Sequence, residues 1–323
     1  MTVVTTLLDR SEHTAQLAID VRAGLTAPAK TLPSKYFYDA TGSDLFDQIT
    51  RLPEYYLTRT ERAILIERAD EIAEITRAVT LNEIGSGTSD KTRLLLRALS
   101  SAGTLSRFVP FDVDPAVLAD TGAAIRAEFP DLEVQPVVGD FEKHLGLLPR
   151  HPCRLVAFLG STIGNLASPA RRGFFQAIRR TFGPADAFLL GTDLVKPVPR
   201  LIAAYDDLAG VTAAFNKNVL AVINRELDAD FDLDAFKHLA VWNHEHEWVE
   251  MRLHAIREQK VRIAALGLDV FFEQGEQLHT EISAKFRQEQ LVAELAESGL
   301  RMTHWWTDPA GDFALSLSVL ASQ

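Results

Sequence analysis

From Thr80 to Leu190, short apolar runs alternate with amphipathic stretches of helical period, and few architectures accept that alternation. Residues 80–84, 108–111, 133–138, 154–159 and 187–190 read as strands, with helices over 91–99, 116–129 and 169–182 between them. Strands that alternate with helices build a mostly parallel sheet covered on both faces, the doubly wound α/β class. The pattern breaks at about residue 196, where two long helices (198–208 and 211–227) precede alternating runs at 249–254, 261–266 and 268–272. It resumes with a helix at 288–298 and strands at 302–307 and 313–319. An excursion of that length is too long for one crossover. A second, discontinuous α+β domain is therefore predicted, with the sheet domain over 61–195 plus 286–323 and the other over 1–60 plus 196–285.

The N-terminal segment has its own character. Residues 43–49 and 58–72 read as helices, whereas LPSKYFYD and LPEYYLT are proline-punctuated and aromatic. Tyr36, Phe37, Tyr38, Tyr55 and Tyr56 suit a lid or pocket wall, or else pack the helices together.

With 323 residues, 47% of them hydrophobic and 24% charged, the chain can bury two cores. Its single cysteine, Cys153, excludes internal disulfides and Cys-rich metal frameworks; in the apolar run 153–159 it reads as a buried structural thiol suited to a reducing compartment. The first residues lack the basic start and apolar run of a secretory signal, and no stretch reaches the ~20 apolar residues of a membrane span, so a cytoplasmic location without membrane contact is expected. A net charge of −11 with scattered Arg and Lys disfavours nucleic acid and favours a small-molecule partner. No coiled coil or large apolar stripe is evident, and a monomer is expected. No metal is expected either: His244-Glu245-His246 lacks the i, i+4 spacing of a helical zinc pair and reads as an exposed polar segment. Without a G-x-S-x-G, Ser86 and Ser161 are loop residues rather than nucleophiles.

The sharpest local motif is the strand-to-glycine turn Leu81-Asn82-Glu83-Ile84-Gly85-Ser86-Gly87-Thr88-Ser89. Glycines let backbone pass close to a ligand, with the free N–H groups of the next helix beside it. Asp90 stands where a dinucleotide fingerprint needs its third glycine, which argues against a dehydrogenase. The second strand ends Phe111-Asp112-Val113-Asp114; Asp112 is placed for ribose hydroxyls, and Asp114 reads as the N-cap of a helix begun by Pro115. The third ends Val138-Gly139-Asp140-Phe141, where a carboxylate and an aromatic ring suit an adenine. Glycine turn, acid, and acid with aromatic, in that order, resemble the S-adenosylmethionine site of class I methyltransferases.

Further segments, FYDATGSDLFDQITRLPEYY, FLGSTIGN, LLGTDLVK, AYDDLAGVTAAFNKNVLAVINRELDADFDLDAF and THWWTDPAGDF among them, make almost the whole chain resemble the actinobacterial L-histidine Nα-methyltransferases of ergothioneine biosynthesis. The resemblance implies a Rossmann-like class I methyltransferase sheet and a substrate-binding second domain. It also implies transfer of three methyl groups from S-adenosylmethionine to the α-amino nitrogen of histidine, giving hercynine and S-adenosylhomocysteine. Carried over by position, Tyr38, Gly85, Lys91, Asp112, Asp140 and Phe141 would serve the cofactor. Tyr55, Asn165, Tyr205, Met251, Glu281 and Ser283 would line the amino-acid pocket, and Tyr38 and Asn165 would be the catalytic pair. Residue chemistry supports these roles unevenly. Asn165 can offer its amide to a carboxylate and its carbonyl to an amine, and Glu281 and Ser283 share one face of a strand. Tyr205 can donate its hydroxyl, and Met251 makes a soft apolar wall. A methyltransferase for tryptophan or a prenylated tryptophan, and a non-catalytic binding module, are the competing readings.

Overall fold

The computed structural model describes residues 4–8 and 10–321. It divides into two compact units: Met1–Leu8, Leu57–Val195 and Lys285–Gln323 form one, Asp9–Tyr56 and Lys196–Ala284 the other.

The sheet unit opens with β1 (Thr5–Thr6). The chain then supplies α1 (Arg10–Thr26) and α2 (Ala40–Ile49) to the second unit and returns with α3 (Leu57–Thr76). There follow β2 (Thr80–Ile84), α4 (Thr92–Ser101), β3 (Arg107–Asp112), α5 (Pro115–Glu128), β4 (Glu133–Val134) and β5 (Val137–Val138). After α6 (Phe141–His144) come β6 (Arg154–Phe158), α7 (Ser168–Thr181) and β7 (Ala187–Asp193). The second unit continues with α8 (Val198–Tyr205), α9 (Val211–Leu227), β8 (Phe236–Asn243), β9 (Trp248–Ala255), β10 (Gln259–Ile263), β11 (Leu268–Phe272) and β12 (Gln277–Ala284). The sheet unit closes with α10 (Gln288–Glu297), β13 (Leu300–Thr307) and β14 (Phe313–Leu320).

The large sheet runs β1-β5-β3-β2-β6-β7-β14-β13, with β4 also paired to β3. Its strands are parallel up to β7, and β14 is antiparallel to both β7 and β13. Strands β2, β6 and β7 are buried along their whole length, which explains why they read as continuous runs rather than alternating ones. The strand order reverses at β2, between β3 and β6, and in open α/β sheets ligands bind beyond the carboxyl ends of the strands at such a point.

The second unit holds a three-stranded antiparallel sheet, β12-β9-β8, and the hairpin β10–β11. Helix α9 buries Phe215, Val219, Leu220 and Ile223, and its Asn218 donates to the Phe37 carbonyl and to Asp39, the N-cap of α2.

Three sequence expectations are corrected. Residues 4–8 fall in the sheet unit and not with 1–60, because Thr5 and Thr6 pair with Val137 and Val138; a two-residue strand is too short to show a period. The expected single strand over 133–138 is broken into β4 and β5 around Gln135-Pro136, where proline has no N–H to give a ladder. Cys153 is half-buried in left-handed backbone (φ 53°) just before β6, its thiol against the carbonyls of Thr76 and Arg77, and so is no core residue. Helix α1 has no counterpart in the sequence reading, since its apolar face is a narrow stripe centred on Leu17, Val21 and Leu25. Among the described residues no helix is long and apolar enough to cross a membrane.

Candidate functional site

At the carboxyl edge of the sheet unit, β2 passes into a loop in which Gly85 (φ 65°) and Gly87 (φ 48°) take left-handed backbone, a conformation that costs glycine least. Asp112, at the end of β3, faces that loop. Its Oδ2 accepts from the Gly87 N–H at 2.9 Å, and its Oδ1 from the N–H groups of Val113 (2.7 Å) and Asp114 (3.2 Å). Burial pushes the Asp112 carboxyl above its ordinary pKa despite those three donors. Behind the loop Glu83 is buried, accepting from the Ser89 hydroxyl (2.7 Å) and from Thr92; burial outweighs both donors and lifts its carboxyl to about 7. Lys91, just before α4, pairs with the buried Glu61 of α3.

Asp114 caps α5 through the N–H groups of Ala116 and Val117, as its place before Pro115 predicts. Asp140 also caps a helix: it is buried at the N-terminus of α6 and accepts from the Glu142 N–H at 2.8 Å through Oδ1. The half-buried Phe141 ring lies 5.3 Å from that of Phe158, which stacks on Phe174. Beyond β6 the chain turns through Gly160 and Ser161, both left-handed, into a short 3-10 turn, Thr162–Asn165, whose last residue is half-buried. Carboxylate, ammonium, glycine-loop N–H groups and aromatic ring thus sit on successive strand ends. Those groups match the hydroxyls, the carboxylate and the adenine of S-adenosylmethionine.

In the second unit, Tyr38, Phe46, Tyr55 and Tyr205 form a chain of edge-to-face rings, with centroids 5.7, 6.3 and 6.2 Å apart in turn. The Tyr205 hydroxyl lies 2.8 Å from Ser283 Oγ in a buried hydrogen bond. Glu281 and Ser283 are two apart on β12, just past an irregularity between His279 and Glu281, and Glu281 stands opposite the buried Met251 of β9. Behind Tyr205, His238 bonds the Tyr205 carbonyl through Nε2 (2.8 Å), and its Nδ1 lies 2.8 Å from Asn216 Nδ2. Asn216 in turn accepts from Thr280. The other tyrosines of the N-terminal segment do structural work. Tyr36 donates to Asp20, and Tyr56 accepts from Lys196 while its ring lies under the cations of Lys196 and Arg200.

A sequence model of the histidine-specific, S-adenosylmethionine-dependent methyltransferases matches residues 17–320. The chain belongs to that family. Two relatives agree: histidine N-alpha-methyltransferase of Mycolicibacterium smegmatis is 63% identical over 93% of this chain and 94% of its own length. That of Mycobacterium tuberculosis is 56% identical over 95% and 96%. Among solved structures, an S-adenosylmethionine-dependent methyltransferase of Clostridium acetobutylicum shares the fold, with a TM-score of 0.50 at 12% identity over 86% of this chain and 99% of that one. The protein is therefore an S-adenosylmethionine-dependent methyltransferase, as its strand-end motifs indicate.

Within this family frame, Gly85, Lys91, Asp112, Asp140, Phe141 and Asn165 all lie at or just past the carboxyl ends of strands of the sheet unit, whereas Tyr38, Tyr55, Tyr205, Met251, Glu281 and Ser283 belong to the second unit. His244, Glu245 and His246 form the exposed turn between β8 and β9, and no metal-binding cluster occurs among the described residues. Sequence reasoning missed Glu83, Glu61 and His238. A signal existed for Glu83, an acid inside a wholly buried strand; Glu61 and His238 carry none, because their partners lie on other elements.

Proposed function

We propose that this enzyme transfers three methyl groups in succession to the α-amino nitrogen of L-histidine, giving hercynine for ergothioneine biosynthesis. The observation that carries the reading is identity of 63% over nearly the whole of a histidine N-alpha-methyltransferase, second unit included. S-adenosylmethionine, when bound, supplies an electrophilic methyl on a sulfonium. Asp112 accepts from the ribose hydroxyls, Phe141 and Asp140 take the adenine, and Lys91 with the N–H groups of the Gly85 loop takes the methionyl end. Tyr38 is assigned to the same cofactor.

For the amino acid, Glu281 accepts from the imidazole N–H with the Ser283 hydroxyl beside it, and Met251 gives an apolar wall. Tyr205, Tyr55 and Asn165 take the carboxylate and amine. In each transfer the amine lone pair bonds to the methyl carbon while the C–S bond breaks, its electron pair staying on sulfur. Those residues therefore act by orientation, holding nitrogen in line at ~3 to 3.5 Å from the methyl. Before each of the three transfers the nitrogen must shed a proton, and an α-amino group with a pKa near ~8 does so to solvent or through Tyr38 or Tyr55. A carboxylate aimed at an imidazole N–H disfavours tryptophan, because burying it against an indole face leaves it unpaired.

The test is incubation with S-adenosylmethionine and an equimolar panel of the twenty amino acids, followed by mass spectrometry. Gains of one, two and three methyl groups on histidine alone are expected. Methylation of another amino acid overturns the substrate assignment, and cofactor binding without product overturns the reading as a whole.

A further inference from the structure

Glu61 is fully buried on α3, yet it is tied to three separate parts of the sheet's carboxyl edge. Its carboxylate pairs with the Lys91 ammonium. Both its oxygens accept from the Gly160 N–H, at 2.8 and 3.0 Å, and Gly160 opens the turn that ends in Asn165. A Cβ added at Gly191, on β7, would sit 2.0 Å from Glu61 Oε1, so that strand position is kept bare for the carboxylate. A buried carboxylate is tolerated only when charge and hydrogen bonds compensate it, and here one cation and one backbone donor do so.

A lysine has a flexible four-carbon stem and three rotatable donors, and left alone at a loop it samples many positions. The bond to Glu61 uses one donor and fixes the ammonium of Lys91, a side chain one-fifth exposed. We propose that Glu61 is a positioning residue for cofactor binding: it never touches the cofactor, but it sets Lys91 to meet a carboxylate and anchors the Gly160 turn. S-adenosylmethionine carries a single anionic group, the carboxylate of its methionyl end, and that is the group a fixed ammonium selects. The inference rests on the assignment of Lys91 to the cofactor made above.

The test is a double-mutant cycle, E61Q, K91M and E61Q/K91M, with affinity for S-adenosylhomocysteine measured by calorimetry below each variant's melting temperature. E61Q keeps shape and one acceptor for Gly160 but drops the charge. It is expected to weaken binding about tenfold, the scale of one charge-assisted hydrogen bond. In the K91M background the same change should cost less than about threefold. Full-strength binding by E61Q, or an equal penalty in both backgrounds, overturns the proposal. If K91M itself binds as the unmodified enzyme does, the assignment of Lys91 has failed, and the two failures are told apart by which single variant is silent. Should E61Q not fold, Gly191→Ala displaces the carboxylate without changing its charge; several-fold weaker binding is expected, and unchanged affinity overturns the proposal.

Discussion

Glu83 of the sheet unit and Glu250 of the second unit are both buried carboxylates on strands, 4% and 5% exposed, and they are pushed in opposite directions. At Glu83 burial wins over two hydroxyl donors and the carboxyl rises to about 7. At Glu250 burial also acts to raise it, but the indole N–H of Trp248, the Arg252 guanidinium and the Asn243 amide together outweigh burial and hold it at about 2. The sheet unit thus braces its glycine loop with neutral donors, whereas the second unit stiffens its antiparallel sheet with a charged network. The same contrast holds at the residues proposed to bind ligands. Asp112 is shaped by backbone N–H groups that any sequence can supply, and Tyr205 and Ser283 by side chains brought from separate elements.

The largest expected effect follows from that opposition. Glu83 has a folded pKa above its ordinary 4.5, so the stability linked to it is present below about 4.5 and lost as pH rises through about 7. For Glu250 the contribution is present above 4.5 and lost as pH falls toward about 2. In urea unfolding, E83Q should therefore gain a few kcal/mol relative to the unmodified protein between pH 5 and 8, at ~1.4 kcal/mol per pKa unit. E250Q should be most destabilising near neutrality and approach the unmodified protein as pH falls toward 3. Parallel pH profiles for the two variants would break the comparison.

The next effects separate ligands. Asp112→Ala removes an ionised acceptor and the partner of the Gly87 N–H, and affinity for S-adenosylhomocysteine should fall on the order of 100-fold, two charged hydrogen bonds at ~1.5 kcal/mol each. Glu281→Ala removes one such acceptor and should raise the KM for histidine by roughly 10- to 30-fold while leaving cofactor affinity alone. A loss of cofactor affinity in Glu281→Ala, or of histidine affinity alone in Asp112→Ala, would reverse the ligands assigned to these two residues.

What was legible in the sequence divides along the same line. Strands β2, β3, β6 and β7, with their loops, announce themselves because burial on both faces makes each a mostly apolar run, and Asp112 stands at the end of its strand, although Glu83 lies inside β2. Asp114 as a cap and Asp112 at a strand end could be read from position alone. Asp140 could not be separated from a cap by position, and it is one. In the second unit, Glu281 and Ser283 share a face by simple alternation, but the pairing of Ser283 with Tyr205 spans 78 residues and has no local signature. Family resemblance put both residues in one pocket but did not pair them. Glu61 shows the limit most clearly: one acid among the charged residues of α3, it carries no local signal, and only tertiary structure buries it against Lys91 and Gly160.

The smallest effect is the most discriminating within the second unit. Tyr205→Phe keeps the ring that packs on Tyr55 and removes only the hydroxyl that meets Ser283. A neutral hydrogen bond is worth about 1 kcal/mol, so the KM for histidine should rise about fivefold with kcat and cofactor affinity little changed. Ser283→Ala should cost a similar amount. Because the two hydroxyls bond each other, the double variant should cost less than the product of the singles, as neighbours that share a partner do. Multiplicative effects would mean that each hydroxyl meets the substrate independently, and the buried pair would then be incidental to binding. No effect in either single variant, with histidine still methylated, would leave Glu281 as the discriminating polar group and make Tyr205 a packing residue like Tyr56.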